Sequence, residues 1–359
     1  MNRNQIAAVA LVTVLLSAAF YYISTQTPVE PKVLKILCAG SLLNPLNEVA
    51  ESYMNAHPEV EVQVEGHGSI QVIRHHVEMD DPADLLMVAD CSLIPTMMYS
   101  TPVDDTEVNY TDWYIRFAGN ELVLAYTEQS LYHEELNSSN WHEILMRPDV
   151  KIGFPNPLID ALGYRSLMIV QLAESYFNES RMFETVVSDN FETPFKTVDT
   201  GDRTVIFVPE IVEPLNDKVS FRASGIQLIP LLESGGVDYC FLYISNAKQY
   251  SLGYMDLPEE LNMGNPDYNQ SYDDVMIRYQ HARFSSIGLD RNGKSIHYGL
   301  TVPVNAAEPE LAEDFIQYIL DGEGQKIFAD LWHPIYTPSY TDNMESTPEA
   351  VRHLLVKDP

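Results

Sequence analysis

Two segments near the start of the chain share one plan: an apolar strand runs into Gly-Ser, and an amphipathic helix follows at once. In the first, Val33 to Cys38 leads through Ala39 into Gly40-Ser41, after which Leu46, Val49, Ala50 and Tyr53 recur at helical spacing. In the second, Val60 to Val64 leads to Gly68-Ser69, followed by Ile70, Ile73 and Val77. Leu85 to Val88, ending in Ala89-Asp90, adds a third buried strand. Strands alternating with helices at this range form βα units, so the expected fold is α/β with a parallel, doubly wound sheet. Ligands of such sheets collect at the carboxyl ends of the strands, where Ser41, Ser69 and Ala89 all fall. Each helix start offers unpaired N–H groups, a hydroxyl and roughly half a positive charge, a cradle for an anion without any cationic side chain. Singly, either serine reads as an ordinary N-cap; paired at matching strand ends, they read equally well as holders of an oxyanion.

At 359 residues the chain exceeds what one hydrophobic core serves, and two lobes are expected. The run Glu121 to Thr127 begins a new unit and marks a first crossing between lobes. Lys151 to Phe154 then reads as a strand, and Leu162 to Phe177 as a long helix with Ile169, Leu172, Ala173 and Tyr176 on its inward stripe. Further on, Thr204 to Val208 and Tyr239 to Tyr243 read as strands. Phe284 to Leu289 and Ser295 to Val302 flank Asp290-Arg291-Asn292-Gly293, and Asn-Gly between apolar runs signals a hairpin. A stripe of Leu311, Phe315, Ile316 and Ile319 predicts a closing helix that returns to the first lobe. The expected organisation is lobe I over 33–118 and 305–359 and lobe II over 119–304, with a hinged cleft between them.

Met1 to Gln5 carries Arg3, and the stretch from Ile6 to Ile23 is apolar apart from Thr13, Ser17 and two tyrosines. Residues 1–32 therefore read as a secretory signal or an uncleaved membrane anchor, followed by a stiff tether ending at Lys32; the length of the apolar stretch favours an anchor. Both alternatives place the protein outside the cytoplasm, with the anchor holding it at the outer face of the cell membrane. The 52 acidic against 21 basic residues, a net charge of -31, argue against nucleic acid or an anionic surface as partner. A protein this acidic must bind any anion with local dipoles working against its own field. Cys38, Cys91 and Cys240 each sit in or beside an apolar run and read as buried free thiols.

Asp160 stands just ahead of Gly163-Tyr164-Arg165 at another helix start. It reads as a capping acid, or as a cleft carboxylate that would repel a dianion unless it bound the central metal atom directly. Adjacent His75 and His76 cannot both face one metal and read as a solvated helix face. Asp290, Asn292 and Gly293 resemble the start of a calcium loop whose closing acid is missing.

Several motifs together carry a family resemblance. They are Cys38-Ala39-Gly40-Ser41-Leu42, Gly68-Ser69, Ala83-Asp84-Leu85 running to Ala89-Asp90, Asp112-Trp113-Tyr114, and Leu122-Val123-Leu124-Ala125-Tyr126-Thr127. With them go Asn140-Trp141, Glu143 to Val150, Gly163-Tyr164-Arg165-Ser166-Leu167-Met168, and Asp238-Tyr239-Cys240-Phe241 with Tyr243. From Val33 to about Ile335 the chain closely resembles the archaeal molybdate/tungstate-binding proteins of ABC importers. The resemblance implies a two-lobed type II periplasmic-binding-protein fold, each lobe a doubly wound sheet flanked by helices, with ligand in the interlobe cleft. It implies a monomeric receptor, not an enzyme and without a cofactor, that captures tungstate or molybdate for a membrane permease. Carried over by position, Ser41, Ser69 and Ala89 match the loops that hold the oxyanion, and Tyr243 a tyrosine near the cleft. Asp160 matches an acid that ligates the metal together with a glutamate. Here the chain departs from the pattern: Ala223-Ser224-Gly225-Ile226-Gln227 contains no acid, which leaves Gln227 as the substitute oxygen donor or the metal with fewer ligands. A sulfate or phosphate receptor is the near alternative. An extracellular hydrolase is the distant one, without a Gly-x-Ser-x-Gly elbow to support it.

Overall fold

The computed structural model describes residues 31–79, 81–104, 106–280 and 286–358. The expected signal or anchor within 1–32 lies, but for its last two residues, outside them. Among the described residues no helix is long and apolar enough to cross a membrane.

Strands β1 (Lys32–Ala39), β2 (Val60–His67) and β3 (Leu85–Val88) pair in parallel, with β1 in the middle. They form one edge of a seven-stranded sheet completed by β4 (Ile115–Asn120), β14 (Ile296–Thr301), β15 (Ile335–Thr341) and β16 (Leu355–Lys357). β14 joins antiparallel to β3, so the sheet is mixed rather than wholly parallel. Helix α1 (Leu43–Ala56) buries Leu46, Val49, Ala50 and Tyr53, the stripe expected from the 3.6-residue period. Leu46 and Val49 each contribute about 1.5–3 kcal/mol on leaving water. Helix α2 (Ser69–Glu78) starts directly at the second Gly-Ser. At the first, Gly40–Leu42 forms a 3-10 turn and α1 begins only at Leu43.

β4 ends at Asn120 in the first sheet, and β5 (Leu122–Tyr126) begins a second. That five-stranded sheet also contains β6 (Ile152–Pro155), β9 (Val219–Arg222), β10 (Tyr239–Tyr243) and β11 (Gly253–Asp256). The long helix α3 (Ala161–Phe177) is buried all round from Ala161 to Ala173. It packs between this sheet and a four-stranded one of β7 (Lys196–Asp199), β8 (Thr204–Val208), β12 (Val275–Tyr279) and β13 (Asp290–Asn292). Its last turn leaves the body of the protein, so Tyr176, expected inside, is 48% exposed.

The hairpin expected around Asp290-Gly293 does not form; its first arm, Phe284 to Leu289, begins outside the described residues. β13 pairs with β12, whereas β14 is inserted between β3 and β4 of the first sheet. β14 is buried on both faces, which requires a central position rather than a place beside a short charged strand. Gly293 permits the passage, since any side chain there would overlap the Tyr272 carbonyl. The chain therefore returns to the first sheet at 293–295, and β14 belongs with 33–118 rather than with 119–304 as expected. α4 (Pro309–Leu320) completes the return: Tyr53 of α1 packs edge-on against Phe315 at 5.1 Å and donates to Asp314 Oδ2 at 2.6 Å. His76 also departs from expectation, being 3% exposed, with Nδ1 accepting from Ala83 N–H and Nε2 bonded to Asn305 Oδ1. All three cysteines are buried and free.

Candidate functional site

The strand ends of the first sheet meet the start of α3 in a closed ring of contacts. Ser41 Oγ lies 2.9 Å from Tyr298 OH, and that hydroxyl accepts from Asn120 Nδ2 at 3.1 Å. The Tyr298 ring packs against Tyr243, with centroids 5.8 Å apart. Tyr243 OH accepts from Arg165 Nη1 at 2.8 Å, and the same nitrogen donates to Ala89 O at 2.8 Å. Ala89 N–H donates to Ser69 Oγ at 3.0 Å, which leaves the serine proton free to donate. The ring continues through Gly68, where any side chain would overlap the Ile159 carbonyl, to Asp160. It closes from Asp160 through Gly225 to Ser224, whose Cβ would lie 3.6 Å from a methyl at Gly40. Ser41, Ser69, Ala89, Asp160 and Tyr243, each expected from the sequence, are thus brought together and are all under 7% exposed.

Gln227 is not among them. Its side chain is exposed, and its Oε1 accepts from Ala223 N–H at 3.2 Å. Gly225–Leu228 is a 3-10 turn that buries Gly225 and Leu228, so Gln227 falls on the outward side. The second cradle is also less open than expected. Ile70 N–H and Gln71 N–H both donate to the Ile159 carbonyl, at 3.1 and 3.2 Å, across the two halves of the fold.

Asp160 caps α3, its Oδ1 accepting from Leu162 N–H at 2.7 Å. Burial pushes its carboxyl up to about 7, against the opposing pull of the Leu162 amide, the Arg165 charge and the Gly225 amide. A carboxyl so placed changes charge near neutrality, where its proton can answer to whatever occupies the ring.

Arg165 is a site residue that the sequence reading misses, and it contradicts the expectation of a cradle free of cationic side chains. It is 2% exposed and lies 3.5 Å through Nη2 from Asp90 Oδ2, too far for a good hydrogen bond; among the described residues Nη2 has no hydrogen-bond partner. Asp90 is itself held by Tyr164 OH at 2.6 Å and by Ser92 Oγ at 2.7 Å. Burial opposes its ionisation, but the charges of Lys294 and Arg165 and the bonds from Tyr164 and Ser92 outweigh it, so its carboxyl sits well below the usual range. The signal in the sequence was an arginine inside an otherwise apolar helix, which has to find an internal partner.

A cavity of about 720 Å³ lies at the β4 to β5 crossing, lined by Asn120, Glu121, Lys248, Trp332 and Tyr336 among others; Ser41, Ser69 and Asp160 do not line it. The candidate site is assigned to the ring, where fixed donors and a titratable acid converge. Among the described residues no cluster of His, Cys, Asp and Glu is arranged to hold a metal ion by itself.

The profile of bacterial extracellular solute-binding proteins matches residues 34–330. The chain belongs to this family. A solute-binding protein of Methanococcus maripaludis is 38% identical over 336 residues, covering 93% of this chain and 95% of that one. The molybdate/tungstate-binding protein WtpA of Thermococcus kodakarensis is 33% identical over 340 residues, covering 92% and 90%. Among solved structures, the periplasmic molybdate-binding protein of Azotobacter vinelandii aligns with a TM-score of 0.52 at 13% identity, over 85% of this chain and all of that one. The sulfate-binding protein SubI of Mycobacterium tuberculosis aligns with a TM-score of 0.51 at 14% identity, over 86% and 88%. This solute-binding protein therefore has the type II periplasmic-binding-protein fold, and its family is one of exported receptors.

Proposed function

We propose that this receptor captures tungstate or molybdate within the ring of Ser41, Ser69, Ala89, Asp160 and Tyr243 and passes it to an ABC permease. The observation that carries the reading is Asp160, a carboxyl buried among oxyanion donors and pushed up to about 7. Beside a plain oxyanion its charge would be repelled; beside tungsten or molybdenum its oxygen can enter the coordination shell, which sulfur and phosphorus do not offer. In this reading Ser41 and Ser69 donate to oxo groups, Ala89 and Tyr243 frame the loops, and Asp160 binds the metal centre. With Gln227 turned outward, the chain supplies one carboxylate ligand. The similarity to a relative named for molybdate and tungstate supports the choice of ligand. The receptor works as a monomer without catalysis or cofactor, and its N-terminal segment holds it at the outer face of the membrane.

Calorimetric titration of the purified chain with tungstate, molybdate, sulfate and phosphate at fixed salt tests the reading. Tight binding of the first two, with little response to the others, is expected. Equal or tighter binding of sulfate or phosphate overturns it, and so does the absence of binding by all four.

A further inference from the structure

Four Asn-x-Ser/Thr triplets occur in the chain, at Asn109, Asn137, Asn178 and Asn269. In a family of extracellular proteins such a triplet can accept an N-linked oligosaccharide, provided that the amide nitrogen and the hydroxyl two residues on both stand open to an enzyme. The fold sorts the four. Asn109 is half-buried, with Nδ2 donating to Tyr99 O at 2.6 Å, and Thr111 of its triplet is 2% exposed, with its hydroxyl donating to Trp113 O at 3.1 Å. Asn269 opens the short helix Asn269–Tyr272, where its Oδ1 accepts from Ser295 N–H at 2.7 Å and Ser271 is half-buried. Asn178 and Asn137 are different. Asn178 ends α3 in the left-handed conformation, at φ 55°, on the turn that also leaves Tyr176 48% exposed. Asn178 and Ser180 are both exposed, and among the described residues the side chain of neither has a hydrogen-bond partner. Asn137 and Ser139 are exposed as well. Asn137 Oδ1 accepts from Ser139 Oγ at 2.6 Å and from Ser139 N–H at 3.0 Å, while its Nδ2 donates to Glu135 O at 3.0 Å.

We propose that Asn137 and Asn178 are acceptor sites for N-linked oligosaccharide, and that Asn109 and Asn269 are not. The donor class is an oligosaccharide held through its anomeric carbon as a phosphate ester of a membrane lipid, transferred by a membrane-bound oligosaccharyltransferase. In the transfer the asparagine Nδ2 forms a C–N bond to the anomeric carbon and gives up one proton, while the anomeric C–O bond breaks and the lipid phosphate leaves with its electron pair; nothing is oxidised or reduced. The two donors on Asn137 Oδ1 draw electron density from the amide and favour loss of that proton. The product amide keeps one N–H, enough to retain the bond to Glu135 O, so the turn survives the modification. Asparagine is a common helix stop, which accounts for Asn178 alone but not for the free Ser180 hydroxyl or for the second triplet beside it. The tertiary structure puts the two triplets together. Trp141 N–H donates to Asn137 O at 3.2 Å, and the Trp141 and His142 rings pack on Phe177, next to Asn178, with centroids 5.8 and 3.8 Å apart. This patch lies at the far end of α3 from Asp160, about 27 Å along the helix axis, so bulky sugars there leave the anion site clear.

Peptide mass spectrometry of the full chain isolated from its native host tests the assignment, with the same chain made in a bacterium lacking the transferase as the unmodified mass standard. The peptides containing Asn137 and Asn178 are expected to carry a sugar mass on the asparagine, and those containing Asn109 and Asn269 to match the standard. In the native host, Ser139→Ala and Ser180→Ala should each remove the sugar from their own triplet and leave the other modified, while Ser180→Thr, which preserves the triplet, should keep it. Every altered side chain is exposed, so these variants fold. Recovery of the Asn137 or the Asn178 peptide wholly unmodified overturns the proposal for that residue. Sugar on Asn109 or Asn269 overturns the argument from exposure, and sugar retained in Ser180→Ala shows that the triplet is not what the transferase reads. None of these readouts depends on the bound anion, so the proposal stands or falls apart from the choice of tungstate or molybdate.

Discussion

Replacing Asp160 by Asn should stabilise the ligand-free protein and weaken its grip on tungstate. The amide keeps the side-chain volume and an oxygen to accept from Leu162 N–H, so the helix cap survives. What changes is the charge. Burial raises the Asp160 carboxyl from an ordinary 3.8 to about 7, so the folded state resists ionisation that the unfolded chain undergoes freely. Between those values the folded protein holds more protons than the unfolded one, and stability falls as pH rises. The slope for one group is about 1.4 kcal/mol per pH unit, and the full penalty above pH 7 is about 4 kcal/mol. The amide that replaces the carboxyl does not titrate. The advantage of the variant in urea unfolding should therefore grow from pH 4 to pH 7 and stay level above. In calorimetry the same variant should lose tungstate affinity at least tenfold, yet bind sulfate as well as or better than wild type, because a repelling charge has gone. A variant whose stability parallels wild type at every pH would refute the burial argument. Equal losses for tungstate and sulfate would refute direct contact with the metal centre.

Other perturbations separate the remaining parts of the site. Ser69→Ala leaves the Ala89 N–H without its acceptor, at a cost of about 1–3 kcal/mol in urea unfolding, and should weaken tungstate and sulfate alike; a loss confined to one anion would contradict its role as a general oxo donor. Gly68→Ala forces a methyl onto the Ile159 carbonyl and should raise the Kd of every oxyanion while each lobe stays folded, read by calorimetry beside circular dichroism. Burial holds His333 down to about 4, against the pull of its bond to Ser41 O. From its ordinary 6.5 down to about 4 the unfolded chain takes up the proton first, so this histidine removes about 1.4 kcal/mol per unit as pH falls. Asp160 acts with the opposite sign in that window, so His333→Gln and Asp160→Asn should tilt the stability profile in opposite directions; parallel profiles would show that neither group titrates as its burial requires.

The features legible in the sequence were those written in short stretches. Strand, Gly-Ser and helix follow one another within a few residues, and burial of the Leu46, Val49, Ala50 and Tyr53 stripe needed only the helical period. Asp160 was legible as a cap because capping is a bond to the next turn of the same segment. The hairpin reading at Asn292-Gly293 failed because a local turn signal says nothing about which sheet can bury β14 on both faces. His76 was read as solvated because, adjacent to His75, it could not share a metal with it and no partner for it was visible nearby, while Asn305, which receives it, is far along the chain. Gln227 was misplaced because it was carried over by position from the family resemblance, and the 3-10 turn of Gly225–Leu228 buries Gly225 and Leu228 and leaves Gln227 on the outward side.

By itself, then, the sequence determined the βα units, the strand-end serines and the capping acid, since each depends on interactions among residues close in the chain. Only the tertiary structure decided that Asp90 meets Tyr164 and Arg165, and that two of the α2 amides are taken by the Ile159 carbonyl. The reason is physical. A buried charge is tolerated only where another part of the fold supplies its partner, and the residues that do so here lie more than seventy positions apart, joined by no local periodicity.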